Sequence, residues 1–167
     1  TIGKPLGNGH PIGAVVCTKD IAESFANGME FFNTFGGNPV SCSIGTEVLR
    51  FVKREKLQEN SKFIGDYFKK ELKKLSKQYK IIGDVRGKGL FLGIEFVDNK
   101  MNPLKEETIY IVNRFKKYGI LSSVDGPDNN VIKIKPPLTF NKHNCDMFIL
   151  YLRTILNEDF LNSKYYE

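Results

Sequence analysis

The sequence predicts an α/β chain whose C-terminal portion builds a small, mainly antiparallel sheet, and three observations carry that prediction. Apolar residues recur at helical spacing in several long segments. They follow strand patterns in others, around 81–97 and 131–135. Clusters of glycine, proline, asparagine and aspartate separate the two kinds of segment.

Taken in order, Pro11 to Cys17 reads as a short, fully apolar strand of the buried, parallel-sheet type. Thr18 or Asp20 can cap a short helix from Ile21 to Phe25. A Gly/Asn-rich loop ends at Pro39, and a helix runs from there to about Arg54 with Val48, Leu49 and Val52 on one stripe. Asn60 or Ser61 can cap the next helix, from about Lys62 to Tyr79, whose stripe is Phe63, Ile64, Tyr67, Phe68, Leu72 and Leu75. These aromatics read as core rather than as a binding platform. The strands Ile81–Gly89 and Leu90–Val97 follow, the first ending in a glycine-rich turn. A helix from about Glu106 to Tyr118 stops at Gly119. Short strands are expected over Ile120–Ser123 and Val131–Lys135, the second ended by Pro136-Pro137. Asn141 caps a last helix lined by Met147, Phe148, Tyr151, Leu152 and Ile155, with a frayed tail after Asp159.

Two turns carry chemistry. Gly3-Lys4-Pro5-Leu6-Gly7-Asn8-Gly9-His10-Pro11 holds one amine in a tight backbone, and Asn33-Thr34-Phe35-Gly36-Gly37-Asn38-Pro39 holds one hydroxyl. A crowded lysine shifts its pKa readily and forms Schiff bases. A hydroxyl followed by glycines lets the backbone approach a phosphate. Together they suggest a phosphorylated aldehyde cofactor, pyridoxal phosphate. Two ordinary turns with a solvated lysine fit the spacing as well.

The two segments resemble the class III (omega) aminotransferases among the fold-type-I pyridoxal-phosphate enzymes. That family's Gly-Lys-x-Leu-Gly-x-Gly-x-Pro-x-Gly-Ala run is matched from Gly3 to Ala14, and its Thr-x-Gly-Gly-Asn-Pro turn follows, Thr34 lying thirty residues after Lys4. The resemblance implies that Lys4 is the Schiff-base lysine and catalytic base. It also implies that Thr34, with the backbone of Phe35 and Gly36, anchors the cofactor phosphate of the neighbouring subunit in a homodimer. Family members are more than twice this long. The resemblance therefore implies a C-terminal part of a longer chain, inactive in isolation, with residues 1–50 ending the large cofactor domain and 51–167 forming the small α/β domain.

A second region bears on the substrate. Many family members have an arginine in the strand before Pro136-Pro137 that clamps a substrate carboxylate; here Lys133 takes that place. Lysine lacks the planar fork, which argues against ordinary transfer between amino and keto acids. Asp125-Gly126-Pro127, Val131 to Pro137, Ile82 to Gly87 and the approach Gly28-Met29-Glu30 to Thr34 are similar to the phospho-lyase branch, alanine-glyoxylate aminotransferase 2-like proteins acting on ethanolamine phosphate or phosphohydroxylysine. The resemblance implies a small phosphorylated amine as substrate, with Lys133 and Arg86 as candidate contacts. Lys133 and Lys135 also fit a plain solvent face, and Arg86 fits a structural ion pair. An omega-aminotransferase using pyruvate or glyoxylate is the alternative within the family, and a non-catalytic basic anion-binding domain is the alternative outside it.

Bulk properties bound the rest. The chain has 167 residues, 41% hydrophobic and 26% charged, with a net charge of +6. The lysines from Lys53 to Lys77 are spread along helix faces without a nucleic-acid motif, so a solvated surface accounts for them. His10, wedged between Gly9 and Pro11, reads as a turn hydrogen bond, and no metal-ligand spacing is present. Cys17, Cys42 and Cys145 are scattered, as expected of reduced thiols in a cytoplasmic compartment, although a targeting peptide ahead of Thr1 stays open. No apolar run approaches the roughly 18 residues of a membrane span.

Overall fold

The computed structural model describes residues 1–161. They form two compact units that divide between Lys56 and Leu57. In the first, a 3-10 turn (Lys4–Gly7) precedes α1 (Lys19–Phe25) and α2 (Pro39–Arg54). The Asn38 side chain caps α2 by accepting from the N–H groups of Val40 and Ser41, at 3.0 and 3.2 Å, and Pro39 follows at the first helical position. The strand expected over Pro11–Cys17 is not formed. That run makes one antiparallel bridge, Ile2 with Ala14, and Val15 and Val16 stay 71% and 77% exposed. A strand is stabilised by partners on its edges, and among the described residues this apolar run has only the Ala14 bridge.

The second unit contains α3 (Leu57–Gln78), β1 (Ile82–Lys88), β2 (Phe91–Phe96), α4 (Lys105–Lys117), β3 (Ser123–Asp125), β4 (Val131–Ile134) and α5 (Lys142–Leu156). The four strands form one antiparallel sheet in the order β1-β2-β4-β3. Alternation along the strands sends Val85, Leu92, Ile94, Phe96, Ile132 and Ile134 to one face, where they are buried. The helices α3 and α4 pack on that face, and α5 packs against both. Phe68, Phe115 and Phe148 knit the helices together; the Phe148 ring lies 5.2 Å from Phe68, edge to face, and 4.7 Å from Phe115. Burying each such side chain stabilises the unit by about 1.5–3 kcal/mol relative to exposure.

Three expectations need correction here. Asn60 and Ser61 lie inside α3, which begins at Leu57, and are not caps. The Asn60 amide donates instead to the carbonyls of Leu138 and Phe140, at 2.7 and 3.0 Å, and the Ser61 hydroxyl accepts from the Leu90 N–H at 3.2 Å. The strand expected over Ile120–Ser123 shifts to Ser123–Asp125, because only those residues find partners on β4. After Asp159 the chain is not frayed as far as Leu161: Phe160 stacks on Tyr110 with centroids 4.5 Å apart, and Leu161 is buried. The rest of that tail lies outside the described residues. Asn141 does cap α5, in a reciprocal capping box with Asn144. Among the described residues, no helix is long and apolar enough to cross a membrane.

Candidate functional site

Lys4 opens the 3-10 turn in a loop pinched at its base. The Ile2 and Ala14 N–H groups each donate to the other residue's carbonyl, at 2.7 and 2.8 Å. Asn8 closes the turn in the left-handed conformation (φ 45°, ψ 46°) and donates its N–H to the Pro5 carbonyl. Gly7 is buried, and a Cβ there would lie 2.8 Å from Ile12 Cγ2. Ile12 also meets α2 at Gly45, where a Cβ would come within 3.1 Å of its Cδ1. His10 Nε2 and Ser41 Oγ, 2.8 Å apart, tie the loop to α2, so the histidine is a structural tie, as its place in the turn suggests. Lys4 itself is exposed, and its ammonium makes no hydrogen bond or ion pair among the described residues.

Thr34 occupies the exposed turn before α2. The Asn33 side-chain oxygen accepts from the N–H groups of both Phe35 and Gly36, at 3.1 and 3.0 Å. The two backbone donors expected to face a phosphate are thus already engaged by Asn33. The Thr34 hydroxyl makes no hydrogen bond among the described residues. Gly37 has φ 70°, and a Cβ there would meet nothing within 4 Å, so the turn leaves room for an approaching group. The one sign of Asn33's role in the sequence is a short polar residue ahead of the turn, which is the signature of an Asx turn.

The other two candidates come together in the second unit. Register pairs Arg86 with Gly93 and Gly93 with Lys133, so all three project from the open face of the sheet in one row. They line a cleft of about 350 Å³, together with Phe91, Asp125 and Val131. Both cations have carboxylate partners. Arg86 Nη1 donates to Glu95 and, at 3.0 Å, to Asp84, and these bonds hold its pKa above the ordinary value. The buried Asn130 supports this arrangement, its amide donating to the Phe96 carbonyl at 3.0 Å and lying 3.4 Å from Glu95. Lys133 pairs with Asp125; that hydrogen bond, helped by the Gly126 N–H at 2.7 Å, keeps the Asp125 carboxyl below the usual range. The ion-pair reading of Arg86 is therefore realised, and Lys133 is more than a solvated lysine. Asp84 stands two residues before Arg86 on the same strand, whereas Glu95 and Asp125 were not singled out from sequence, because only cross-strand register reveals them as partners.

A sequence model of one family, aminotransferase class-III, matches residues 1–156. This chain belongs to the class III aminotransferases. It is 48% identical over 159 residues to an alanine–glyoxylate aminotransferase 2-like protein of Drosophila melanogaster, an alignment covering 93% of the chain and 32% of the relative. It is 43% identical over 147 residues to an ethanolamine-phosphate phospho-lyase homolog of Caenorhabditis elegans, covering 86% and 32%. Among solved structures it superimposes on a phospholyase from Arthrobacter in complex with phosphoethanolamine, with a TM-score of 0.87, 40% identity, 92% of this chain and 37% of that one. The chain thus spans about a third of the length of the curated relatives it matches. Its helices and small antiparallel sheet match the fold-type-I neighbours.

Pyridoxal 5'-phosphate is the cofactor that this membership indicates. The residues present fit it. Lys4 offers an unpartnered amine on a fixed loop, and Thr34 offers an unpartnered hydroxyl beside an open glycine.

Proposed function

We propose that the protein containing this chain is a phospho-lyase that eliminates phosphate from a small phosphorylated amine such as ethanolamine phosphate. The observation that carries this reading is the likeness to the Arthrobacter phospholyase over nearly the whole chain, with Lys133 where a carboxylate-clamping arginine would favour amino acids. Lys4 would hold the cofactor covalently. Thr34 would bind the phosphate of the cofactor in the neighbouring subunit of a homodimer, and the Phe35 and Gly36 N–H groups would join it only by leaving Asn33. When bound, the cofactor supplies an electron sink for the pair left at the reacting carbon. Lys4 takes the proton from the amine-bearing carbon. The C–O bond on the adjacent carbon then breaks and phosphate leaves with its electron pair. Water hydrolyses the resulting unsaturated amine to an aldehyde and ammonia. Residues 1–50 would contribute to the cofactor domain, and 51–167 would form the small domain carrying Arg86 and Lys133.

The test uses the full-length enzyme. Phosphate and ammonia should appear in equal amounts from ethanolamine phosphate with no keto acid present. If phosphate stays bound and the amino group passes to pyruvate or glyoxylate, the protein is an omega-aminotransferase instead. Borohydride reduction should fix the cofactor on the peptide containing Lys4, and Lys4→Ala should abolish that adduct in a mass spectrum.

A further inference from the structure

Three glycines around the sheet differ in what their missing side chains do. At Gly87 φ is 129°, and a Cβ would sit 2.1 Å from the Phe91 carbonyl oxygen. At Gly65 in α3 a Cβ would sit 2.1 Å from the Gly89 oxygen. Backbone geometry or backbone crowding demands glycine at both. Gly93 is unlike them. Its φ lies outside the left-handed region, and a Cβ would meet only Val131 Cγ1, at 3.2 Å. Glycine in the interior of a central strand weakens it, and often marks close approach of a ligand. At Gly93 the absent side chain has one visible consequence: it leaves the floor of the 350 Å³ cleft open between Arg86 and Lys133. Those two residues stand on the strands to either side, two strand spacings or roughly 10 Å apart, so their long side chains can converge above Gly93.

The geometry points to Gly93 as the specificity-determining floor of an anion seat: a phosphate ester group sits over Gly93, and Lys133 exchanges Asp125 for a phosphate oxygen. The identity of the anion rests on the phospho-lyase reading. Both carboxylates that hold Arg86 engage Nη1, so the donors on Nη2 and Nε remain for a ligand. Phosphate has three terminal oxygens and can accept from Arg86 and Lys133 at once. A carboxylate offers two oxygens and one charge, which Asp125 already presents to Lys133. Asp125 is then an internal competitor, filling the lysine's coordination until substrate arrives.

This makes a prediction of unusual sign. In the full-length, cofactor-loaded protein, Asp125→Asn should bind inorganic phosphate about threefold more tightly by calorimetry, because a competing charge is removed. Lys133→Met should bind it about tenfold more weakly. Gly93→Val should raise KM for ethanolamine phosphate about tenfold by filling the floor, with Gly93→Ala in between. If Gly93→Val does not fold, the two other variants decide. A purely structural Lys133–Asp125 pair would leave phosphate affinity unchanged or lower in Asp125→Asn, and that result overturns the seat. An unchanged KM in a folded Gly93→Val enzyme overturns it too. Wild-type failure to release phosphate sinks the phospho-lyase reading by itself, whereas normal release with no tightening in Asp125→Asn sinks the seat and leaves that reading standing.

Discussion

Replacing Gly65 with alanine sets helix propensity against packing, and the structure decides the winner. In an exposed helix interior the change would stabilise by about 1 kcal/mol. Here the new Cβ would lie 2.1 Å from the Gly89 oxygen, 2.2 Å from its carbonyl carbon and 2.6 Å from its Cα. These are backbone atoms of the β1–β2 turn, and the turn cannot simply recede. The Ser61 hydroxyl holds the Leu90 N–H at 3.2 Å, Lys69 Nζ donates to the Gly87 carbonyl at 2.9 Å, and Gly89 itself has φ 55°. An overpacked site that cannot relax costs at the upper end of the usual range, about 3 kcal/mol. The net effect is a loss of about 2 kcal/mol, localised to the hairpin. Hydrogen exchange of the β1 and β2 amides in the full-length protein reads it directly, and those amides should exchange about 30-fold faster in Gly65→Ala. Arg86 lies in β1 beside Gly87, shortly before that turn, so the KM for the proposed phosphorylated amine should rise as well. Slower exchange, or a raised melting temperature, would refute the argument, because propensity would then have outweighed the clash.

Other consequences are simpler to state. Burial raises the Cys145 thiol pKa to about 12. At pH 8 its thiolate fraction is on the order of 10⁻⁴, so it should resist a disulfide reagent until the protein unfolds. Glu158 accepts from Arg114 through Nε, at 2.7 and 2.9 Å, and through Nη2 at 2.6 Å, and also from the Tyr110 hydroxyl. Burial pushes its pKa up, but the Arg114 and Tyr110 hydrogen bonds outweigh burial and leave the pKa below the ordinary value. The bound carboxylate therefore stabilises the fold above the unfolded pKa, and that stability is lost as pH falls through the lowered folded value. Exchange protection of the 158–161 turn should drop over that acid window, and Glu158→Gln should flatten the dependence. Asn141→Ala removes one half of the capping box on α5 and should cost about 1 kcal/mol in a denaturant titration.

The sequence made α2, β1, β2, α4, β4 and α5 legible because each carries its own period and its own stop. Asn60 and Ser61 misled because capping chemistry is local, whereas their partners lie far along the chain, at Leu138, Phe140 and Leu90. The run from Pro11 to Cys17 misled for the opposite reason: its composition suits a sheet, but a strand exists only where neighbours supply hydrogen bonds. The candidate residues divide in the same way. Lys4 and Thr34 stand in contiguous motifs, and the family resemblance singles them out as candidates. The placing of Glu95 by Arg86, of Asp125 by Lys133, and of Gly93 between the two cations arises from pairing across four strands, and linear spacing does not encode that pairing.

The two units also hold their candidate residues by different physics. Arg86 and Lys133 stand on a sheet whose other face is buried against helices, so hydrophobic packing fixes their positions. The first unit has no such core. Its buried residues are Gly7 and Gly45, while Val16, Met29, Phe31, Phe32 and Phe35 stay more than 70% exposed. What shapes the Lys4 loop is the Ile2–Ala14 bridge, the close fit of Ile12 against Gly7 and Gly45, and the His10–Ser41 hydrogen bond. These contacts fix the backbone on both sides of Lys4 and leave its ammonium unpartnered. For the proposed chemistry that division suits the task. An amine that must bond a cofactor and afterwards take a proton has to move at its tip while its α-carbon stays in place. Gly7 in the loop and Gly45 on α2 let Ile12 come close, so apolar contact holds the loop without a side chain that would tie up the amine.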